Sequence, residues 1–314
     1  MARLAAMVRY FLTRLATAIP TLFIIVTITF FVMRAAPGGP FDEEQTLPPE
    51  IIANLQNAYG LDQPVWRQYL RYMTSLAHGD FGPSFKYKDF TVTELIRQGF
   101  PVTLKLGSIA IVLALLLGIP LGAVAAVSHN SVLDHATMSL AVLGLAIPSF
   151  VVLPVLALLF GIHLHWLPVA GWEPGSLKYL VLPTAALALP PLAYIARLTR
   201  GSMLEVLQSH FIRTAIAKGL PLRTVILRHA MRPALLPVAS YLVPAVAAIM
   251  TGSLVVETIA GLPGIGRYLV QGAVNRDYTL VLGMVIIYSA LLIGMGLLVD
   301  MLYAWLDPRV RPQR

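Results

Sequence analysis

The chain has 314 residues, of which 57% are hydrophobic and 12% charged, with a formal net charge of +8 and a mean hydropathy of +0.76. A soluble domain carries about 25% charged residues, so this composition excludes one and predicts an all-α, polytopic membrane protein. With no cysteine there can be no disulfide framework, thiolate metal site or cysteine nucleophile. The cations flank apolar blocks instead of sharing one soluble face, which argues against a nucleic-acid partner.

Arg3, Arg9 and Arg14 precede an apolar run from about Leu15 to Met33. A signal peptide has an apolar core of only about 7 to 15 residues, so an uncleaved first membrane helix is expected here. From Arg34 to about Phe100 the chain turns polar, rich in Pro and Gly, and more acidic than basic, which suits an outer face. Within it, Pro48 to Tyr59 and Val65 to Ala77 have the apolar spacing of short amphipathic helices. The second membrane helix is predicted over Val102 to Val127. After a turn at Ser128 to His135, the third follows over about Ala136 to Phe160. The fourth spans about Tyr179 to Ala196, the fifth Ala234 to Val256 and the sixth Leu280 to Tyr303. Gly161 to Lys178 and Glu257 to Tyr278 read as outer loops, with His163, Trp166 and Trp172 suited to the interface.

Between the fourth and fifth helices lies a polar insert, Arg197 to Arg232. It carries Arg197, Arg200, Arg213, Lys218, Arg223, Arg228 and Arg232 against one acid, Glu205. An Arg or Lys at the centre of a membrane helix costs roughly 2.5 to 3.5 kcal/mol, so the insert must face water. Phe211, Ile212, Ala215 and Ile216 recur at helical spacing. Gly219-Leu-Pro221 then supplies a helix stop and restart, and Leu222, Val225 and Ile226 form the next apolar face, with Arg223 and Arg228 turned away. A helical hairpin along the membrane surface is predicted. On these residues alone it is either an anchor on anionic lipid or a docking element. Cations collect at the termini and in this insert, while the short outer loops hold only Lys178, Arg267 and Arg276. The positive-inside rule therefore predicts six helices with both termini in the cytoplasm.

Other constellations are weaker. Gly261-Leu-Pro-Gly264-Ile-Gly266 lacks dinucleotide-loop spacing and reads as a turn, and no Gly-x-x-x-x-Gly-Lys-[Ser/Thr] occurs, so any ATP is hydrolysed by a partner. His163 and His165 lack a third metal ligand nearby in sequence, and Ser149 has no evident base. Ion-coupled transport uses ionisable groups near the bilayer midplane, whereas Lys105 and Asp300 fall near helix ends. Pro148, Pro190, Pro191, Pro244 and Gly252 are either tolerated in membrane helices or mark kinks about a passage; the second reading is preferred.

The run Phe211-Ile-Arg-Thr-Ala-Ile-Ala-Lys-Gly219, with Arg228-His-Ala-Met-Arg-Pro233, resembles the coupling loop of permease subunits in ABC importers, in its peptide-importer form. Arg213, Thr214 and Ala215 stand where the wider family has Glu-Ala-Ala, and Gly219 holds the family's Gly. Met33-Arg-Ala-Ala-Pro-Gly-Gly-Pro40, Gly79-Asp-Phe-Gly-Pro-Ser84, Glu257-Thr-Ile-Ala-Gly-Leu-Pro263, Asn275-Arg-Asp-Tyr278 and Asp307-Pro-Arg309 extend the likeness to the first permease of bacterial oligopeptide importers.

The resemblance implies a type I importer fold in the bacterial inner membrane. Residues 1–36 would form a peripheral scaffold helix, 37–100 an extracytoplasmic loop, 101–304 a five-helix transport domain with its coupling loop at 197–232, and 305–314 a cytoplasmic tail. It implies a homologous second permease, two ATP-binding subunits carrying ATP and Mg, an extracytoplasmic peptide-binding protein and an oligopeptide cargo, with no cofactor or metal on this chain. Phe211, Ile212, Arg213, Thr214, Ala215, Lys218, Gly219 and Arg228 would meet the ATPase. Asp80, Lys86, Glu257 and Arg267 are candidate contacts for the binding protein. Dipeptide, glutathione and nickel importers use similar permeases, and an ion-coupled transporter or a membrane scaffold remains an alternative of another class.

Overall fold

A run of 36 helical residues, Val92–Val127, is the longest element among the described residues, and at about 1.5 Å per residue it measures about 54 Å against a hydrocarbon core of about 30 Å. The computed structural model describes residues 2–35, 60–87 and 89–306; the helix expected over Pro48 to Tyr59 and the tail from Asp307 lie outside them. In chain order the helices are α1 (Ala2–Ala35), α2 (Val65–Ala77), α3 (Val92–Val127), α4 (Val132–Ala146) and α5 (Ser149–Leu156, prolonged by a π-helical turn over Ala157–His163). There follow α6 (Lys178–Leu207), α7 (His210–Ala217) and α8, built from Leu222–Thr224, a π-helical turn Val225–Ala230 and Met231–Ala234. The chain continues with α9 (Leu236–Ala260), α10 (Ile265–Val274) and α11 (Tyr278–Leu306). Among the described residues the only β pairing is a bridge between Pro83 and Thr91. Among the described residues five helices are long and apolar enough to cross a membrane, and six spans result if the bent pair α4–α5 counts as one.

The described residues fold as two compact units, one holding 2–12, Leu104–Leu262 and 292–306, the other drawn from Thr13–Thr103 and Pro263–Leu291. In the first, α6 is the hub, packed against α4, α5 and α9. It buries residues along its whole length, from Leu180 to Met203. Lipid tails are as apolar as leucine, so helices gain little from hydrophobic burial here and must approach closely through small residues. Gly118 and Gly122 of α3 do this: a Cβ at Gly122 would lie 2.3 Å from the Ala196 carbonyl oxygen, and one at Gly118 2.8 Å from that of Leu192. Gly144 of α4 meets Ala193 and Leu189 in the same way.

The expected third span is broken. Pro148 disfavours helical backbone at the residue before it, and Ile147 takes an extended ψ of 115°. The helix axis turns by 105° there. The other predicted kinks do not interrupt their helices, since Pro190 and Pro191 lie inside α6 and Pro244 inside α9. Gly252 serves close packing instead, as a Cβ there would lie 3.1 Å from Leu187.

In the second unit, Val26 and Phe30 of α1, Tyr72 of α2 and Leu282 and Ile286 of α11 form the core. The Tyr69 and Thr27 hydroxyls are hydrogen-bonded at 2.8 Å. Helix α2 has the bounds the apolar spacing predicted. Helix α3 starts ten residues earlier than predicted, because Thr91 and Glu94 form a capping box: Glu94 N donates to Thr91 Oγ1 at 3.2 Å and Thr91 N to Glu94 Oε2 at 2.8 Å. The expected last outer loop contains a helix of its own, α10, whose first amide, Ile265 N, donates to Thr103 Oγ1 at 3.0 Å.

Candidate functional site

The basic insert divides differently from its sequence pattern. Its first eleven residues, Arg197 to Leu207, continue α6 without a break. The hairpin proper is α7 and α8, joined at Gly219. Lys218 caps α7, Gly219 takes φ +78°, and two bonds close the end: Gly219 N to the Ile216 carbonyl at 2.9 Å and Leu220 N to the Ala215 carbonyl at 3.3 Å. This is a Schellman end, and its left-handed residue favours glycine. Pro221 sets the extended entry to α8 as its N-cap, one place before the predicted position.

The hairpin is fastened to the bundle by its inner face. Ile212 and Ala215 of α7 and Val225, Ala230 and Ala234 of α8 pack with Met203 of α6 and Ala126 of α3, and Ile212 and Val225 are fully buried. The outer face presents Phe211, Ile216, Leu220, Leu222 and Leu227, all exposed, among the exposed Arg213, Thr214, Lys218, Arg223 and Arg228. Of the eight residues singled out in the sequence, Ile212 and Ala215 are therefore anchors buried against the bundle. Leu222, expected on the same apolar face as Val225, belongs to the outer face instead. An exposed apolar patch rimmed by cations is suited to docking against an acidic-rimmed apolar groove.

Beside the hairpin's root, α6 and α9 line a shallow, open groove of about 500 Å3 formed by Tyr194, Leu198, Leu236, Pro237, Ser240 and Tyr241. The Tyr194 and Tyr241 rings stack with centroids 4.0 Å apart, and the Arg197 guanidinium lies 5.2 Å from the Tyr194 centroid. Aromatic faces next to a guanidinium can receive an apolar side chain together with a carboxylate.

The four residues proposed for contact outside the membrane separate. Asp80 is exposed, its Oδ1 accepting from Gly82 N at 2.9 Å; Lys86 and Arg267 are half-buried. Glu257 is fully buried within the first unit and offers no surface. What the sequence reading missed is Asp277. This buried carboxylate accepts from Ser84 Oγ at 2.5 Å, Phe85 N at 3.0 Å and Lys86 N at 3.3 Å through one oxygen, and from Leu280 N at 3.1 Å through the other, while the adjacent Thr279 hydroxyl donates to the Pro83 carbonyl at 2.6 Å. It caps α11 and holds the 84–86 turn at once. Tyr87 completes the clasp through Gln271 Oε1 at 2.5 Å. Burial, reinforced by the neighbouring Tyr268, pushes the Tyr87 phenol above its ordinary value. A second buried acid, Asp134, was also missed. It is the lone acid between Glu94 and Glu173, a signal readable in the sequence. Among the described residues no group of three or more His, Cys, Asp or Glu side chains could hold a metal ion.

Two family models cover most of the chain: "Binding-protein-dependent transport system inner membrane component" matches residues 118–312, and the N-terminal model of the same systems matches 7–107. The chain belongs to that family. Binding-protein-dependent permeases are membrane components of transport systems and not enzymes, and this chain is accordingly an inner-membrane, multi-pass ABC importer component. It is 56% identical over 305 residues to the oligopeptide transport system permease protein OppB of Escherichia coli (strain K12), covering 97% of this chain and 100% of that one. It is 51% identical to OppB of Haemophilus influenzae, with the same coverage, and 45% identical to the dipeptide transport system permease protein DppB of Bacillus subtilis, covering 97% and 98%. The resemblance read from the hairpin and the flanking motifs thus extends along nearly the whole chain.

Proposed function

We propose that this chain pairs with a homologous second permease to form the passage of an ATP-driven importer for oligopeptides. An extracytoplasmic binding protein delivers the cargo, and two ATPase subunits carrying ATP and Mg power the cycle. The observation that carries the reading is the division of labour in the α7–α8 hairpin. Ile212, Ala215 and Val225 tie it to the bundle, while Phe211, Arg213, Lys218 and Arg228 face outward. A lipid anchor needs only the outer face; a lever that carries force needs the buried one as well. In this reading the hairpin and both termini are cytoplasmic, residues 1–36 form the scaffold helix, and residues 37–100 with Asp80, Lys86 and Arg267 lie outside, where the binding protein docks. Residues 101–304 form the transport domain and 305–314 a cytoplasmic tail. Closure of the ATPases draws the hairpin inward, and the paired bundles rock from an inward-facing to an outward-facing passage.

Oligopeptide cargo is favoured over dipeptide because the relatives at 56% and 51% identity are oligopeptide permeases, while the dipeptide permease stands at 45%. The test is uptake of a labelled pentapeptide into proteoliposomes holding the chain with its co-purified partners and binding protein, with ATP on the side of the ATPases. Uptake that requires both ATP and the binding protein is expected, with weak competition from dipeptide. Uptake without ATP, driven by a proton gradient, overturns the reading.

A further inference from the structure

Arg200 stands on α6, ten residues before the hairpin begins, where the helix leaves its apolar stretch. Its Nε donates to Asp134 Oδ1 at 2.5 Å and its Nη2 to Asp134 Oδ2 at 2.7 Å, a bidentate fork. Asp134 lies in the first turn of α4, its side chain only 1% exposed. The rest of its bonding capacity is taken up locally: Asn130 N donates to Oδ2 at 3.0 Å, His129 Nδ1 lies 3.4 Å from the same oxygen, and the Asp134 amide donates to the N-cap Ser131 Oγ at 3.3 Å. The turn between α3 and α4, the first turn of α4 and the root of the hairpin thus meet at one carboxylate. One turn away, Gly122 of α3 sits against Ala196 and Thr199 of α6. At the point where α6 carries the hairpin out of the bundle, it is held against α3 by close packing and against α4 by charge.

An ion pair, whether buried or partly exposed as here, contributes little net stability. What a bidentate fork supplies is direction, since a guanidinium and a carboxylate bind in one plane at one distance. Such a link transmits rotation, whereas an apolar contact at the same place can slide. Helix α4 leads directly into the 105° bend at Ile147-Pro148 and on to α5.

We propose that Asp134 and Arg200 are positioning residues whose bidentate pair passes movement of the α7–α8 hairpin to α4 and its bent continuation, so that peptide passage follows ATP hydrolysis. This rests on the importer reading above. The fork is the working part; a link that only holds the helices together is not enough.

The experiment compares wild type, Arg200→Lys and the double replacement Asp134→Asn with Arg200→Met, which removes the fork but leaves an amide oxygen to accept from Asn130 N, each as the full complex in proteoliposomes with binding protein and pentapeptide. Three quantities are read: the thermal midpoint of the complex, the rate of ATP hydrolysis, and peptide transported per ATP hydrolysed. The double variant keeps the wild-type midpoint, continues to hydrolyse ATP, and loses about tenfold in peptide per ATP. Arg200→Lys, which keeps the charge but not the fork, shows the same loss. A double variant that transports wild-type amounts per ATP overturns the proposal. So does a loss of transport that only follows a lowered midpoint or a smaller yield of complex. If wild type itself shows no ATP-dependent uptake, the importer reading has failed and not the link, because the ratio is then undefined before any variant is compared.

Discussion

The Ser84 hydroxyl donates to the Asp277 carboxylate at 2.5 Å across 193 residues of sequence. That bond joins the polar segment after the first membrane helix to the start of the last one. Four donors converge on Asp277, Leu280 N in the first turn of α11 and three in the 84–86 turn. Local capping alone would satisfy one carboxylate oxygen; the other is free to recruit a distant loop. The outer segment is thereby given a fixed shape by a residue whose first task is to start a helix.

Asp277→Ala leaves buried donors without an acceptor, and each such group costs about 1 to 3 kcal/mol, so a total loss of about 3 kcal/mol is expected. The thermal midpoint of the purified complex should fall, and trypsin should cut at Lys86 sooner. Asp277→Asn keeps one oxygen and should lie between. A wild-type midpoint together with wild-type resistance at Lys86 contradicts the clasp.

The close approach of α3 and α6 gives a second stability series. A methyl at Gly122 would lie 2.3 Å from a backbone oxygen, which cannot move aside as a flexible side chain can. Gly122→Ala should lower the thermal midpoint by the equivalent of about 1 to 3 kcal/mol, and Gly122→Leu should not yield assembled complex. Gly201, with nothing near its would-be Cβ, should accept Ala at no cost in midpoint. Equal midpoints for Gly122→Ala and Gly201→Ala would show that the helices do not approach this closely.

The membrane class, five of the six expected spans and the hairpin were legible because they depend on long-range composition and on local turn chemistry, both of which are written in the chain. The basic run, Gly219 and Pro221 mark the hairpin in the sequence itself. Its inside and outside were not legible: Ile212 and Phe211 are equally apolar neighbours, and only Met203 and Val225 packing over one of them decides which is hidden. The break at Ile147-Pro148 and the continuity through Pro190-Pro191 were not distinguishable either, since proline permits both and the surrounding helices choose. The Thr91-x-x-Glu94 box and the lone acid Asp134 were readable signals. The first lies outside the apolar run that marks the membrane span, and Asp134 acquires a role only when Arg200, 66 residues away, is brought to it.

At Gly219 the backbone sets the requirement. No heavy atom lies within 4 Å of a Cβ built there, and φ is +78°. Substitutions should therefore rank by their tolerance of left-handed backbone and not by size: Asn close to wild type, Ala worse by about 1 kcal/mol, Val worst. The readout is binding-protein-stimulated ATP hydrolysis by the assembled complex. Gly219→Asp, which adds a negative charge amid Arg213, Lys218 and Arg228, should insert in the membrane yet lose stimulation altogether. A ranking by volume, with Ala better than Asn, would mean that a partner and not the turn constrains this position.

Phe211 and Ile212 separate anchoring from docking in adjacent residues. Ile212 is fully buried against Met203 and Val225, and trimming it to Ala should cost about 2 to 5 kcal/mol through lost packing and an unfilled cavity. Its damage should appear first in the permease alone, as a lowered thermal midpoint and earlier proteolysis at Arg213 or Lys218. Phe211 is 49% exposed, so Phe211→Ala should leave that midpoint unchanged. If this face docks the ATPase, the same change should instead weaken ATPase retention on purification by about tenfold, the scale of a loss of 1 to 2 kcal/mol at an interface. The crossed outcome, with Phe211→Ala lowering the permease midpoint and Ile212→Ala sparing it, would reverse the two faces of the hairpin and remove the lever on which the importer reading stands.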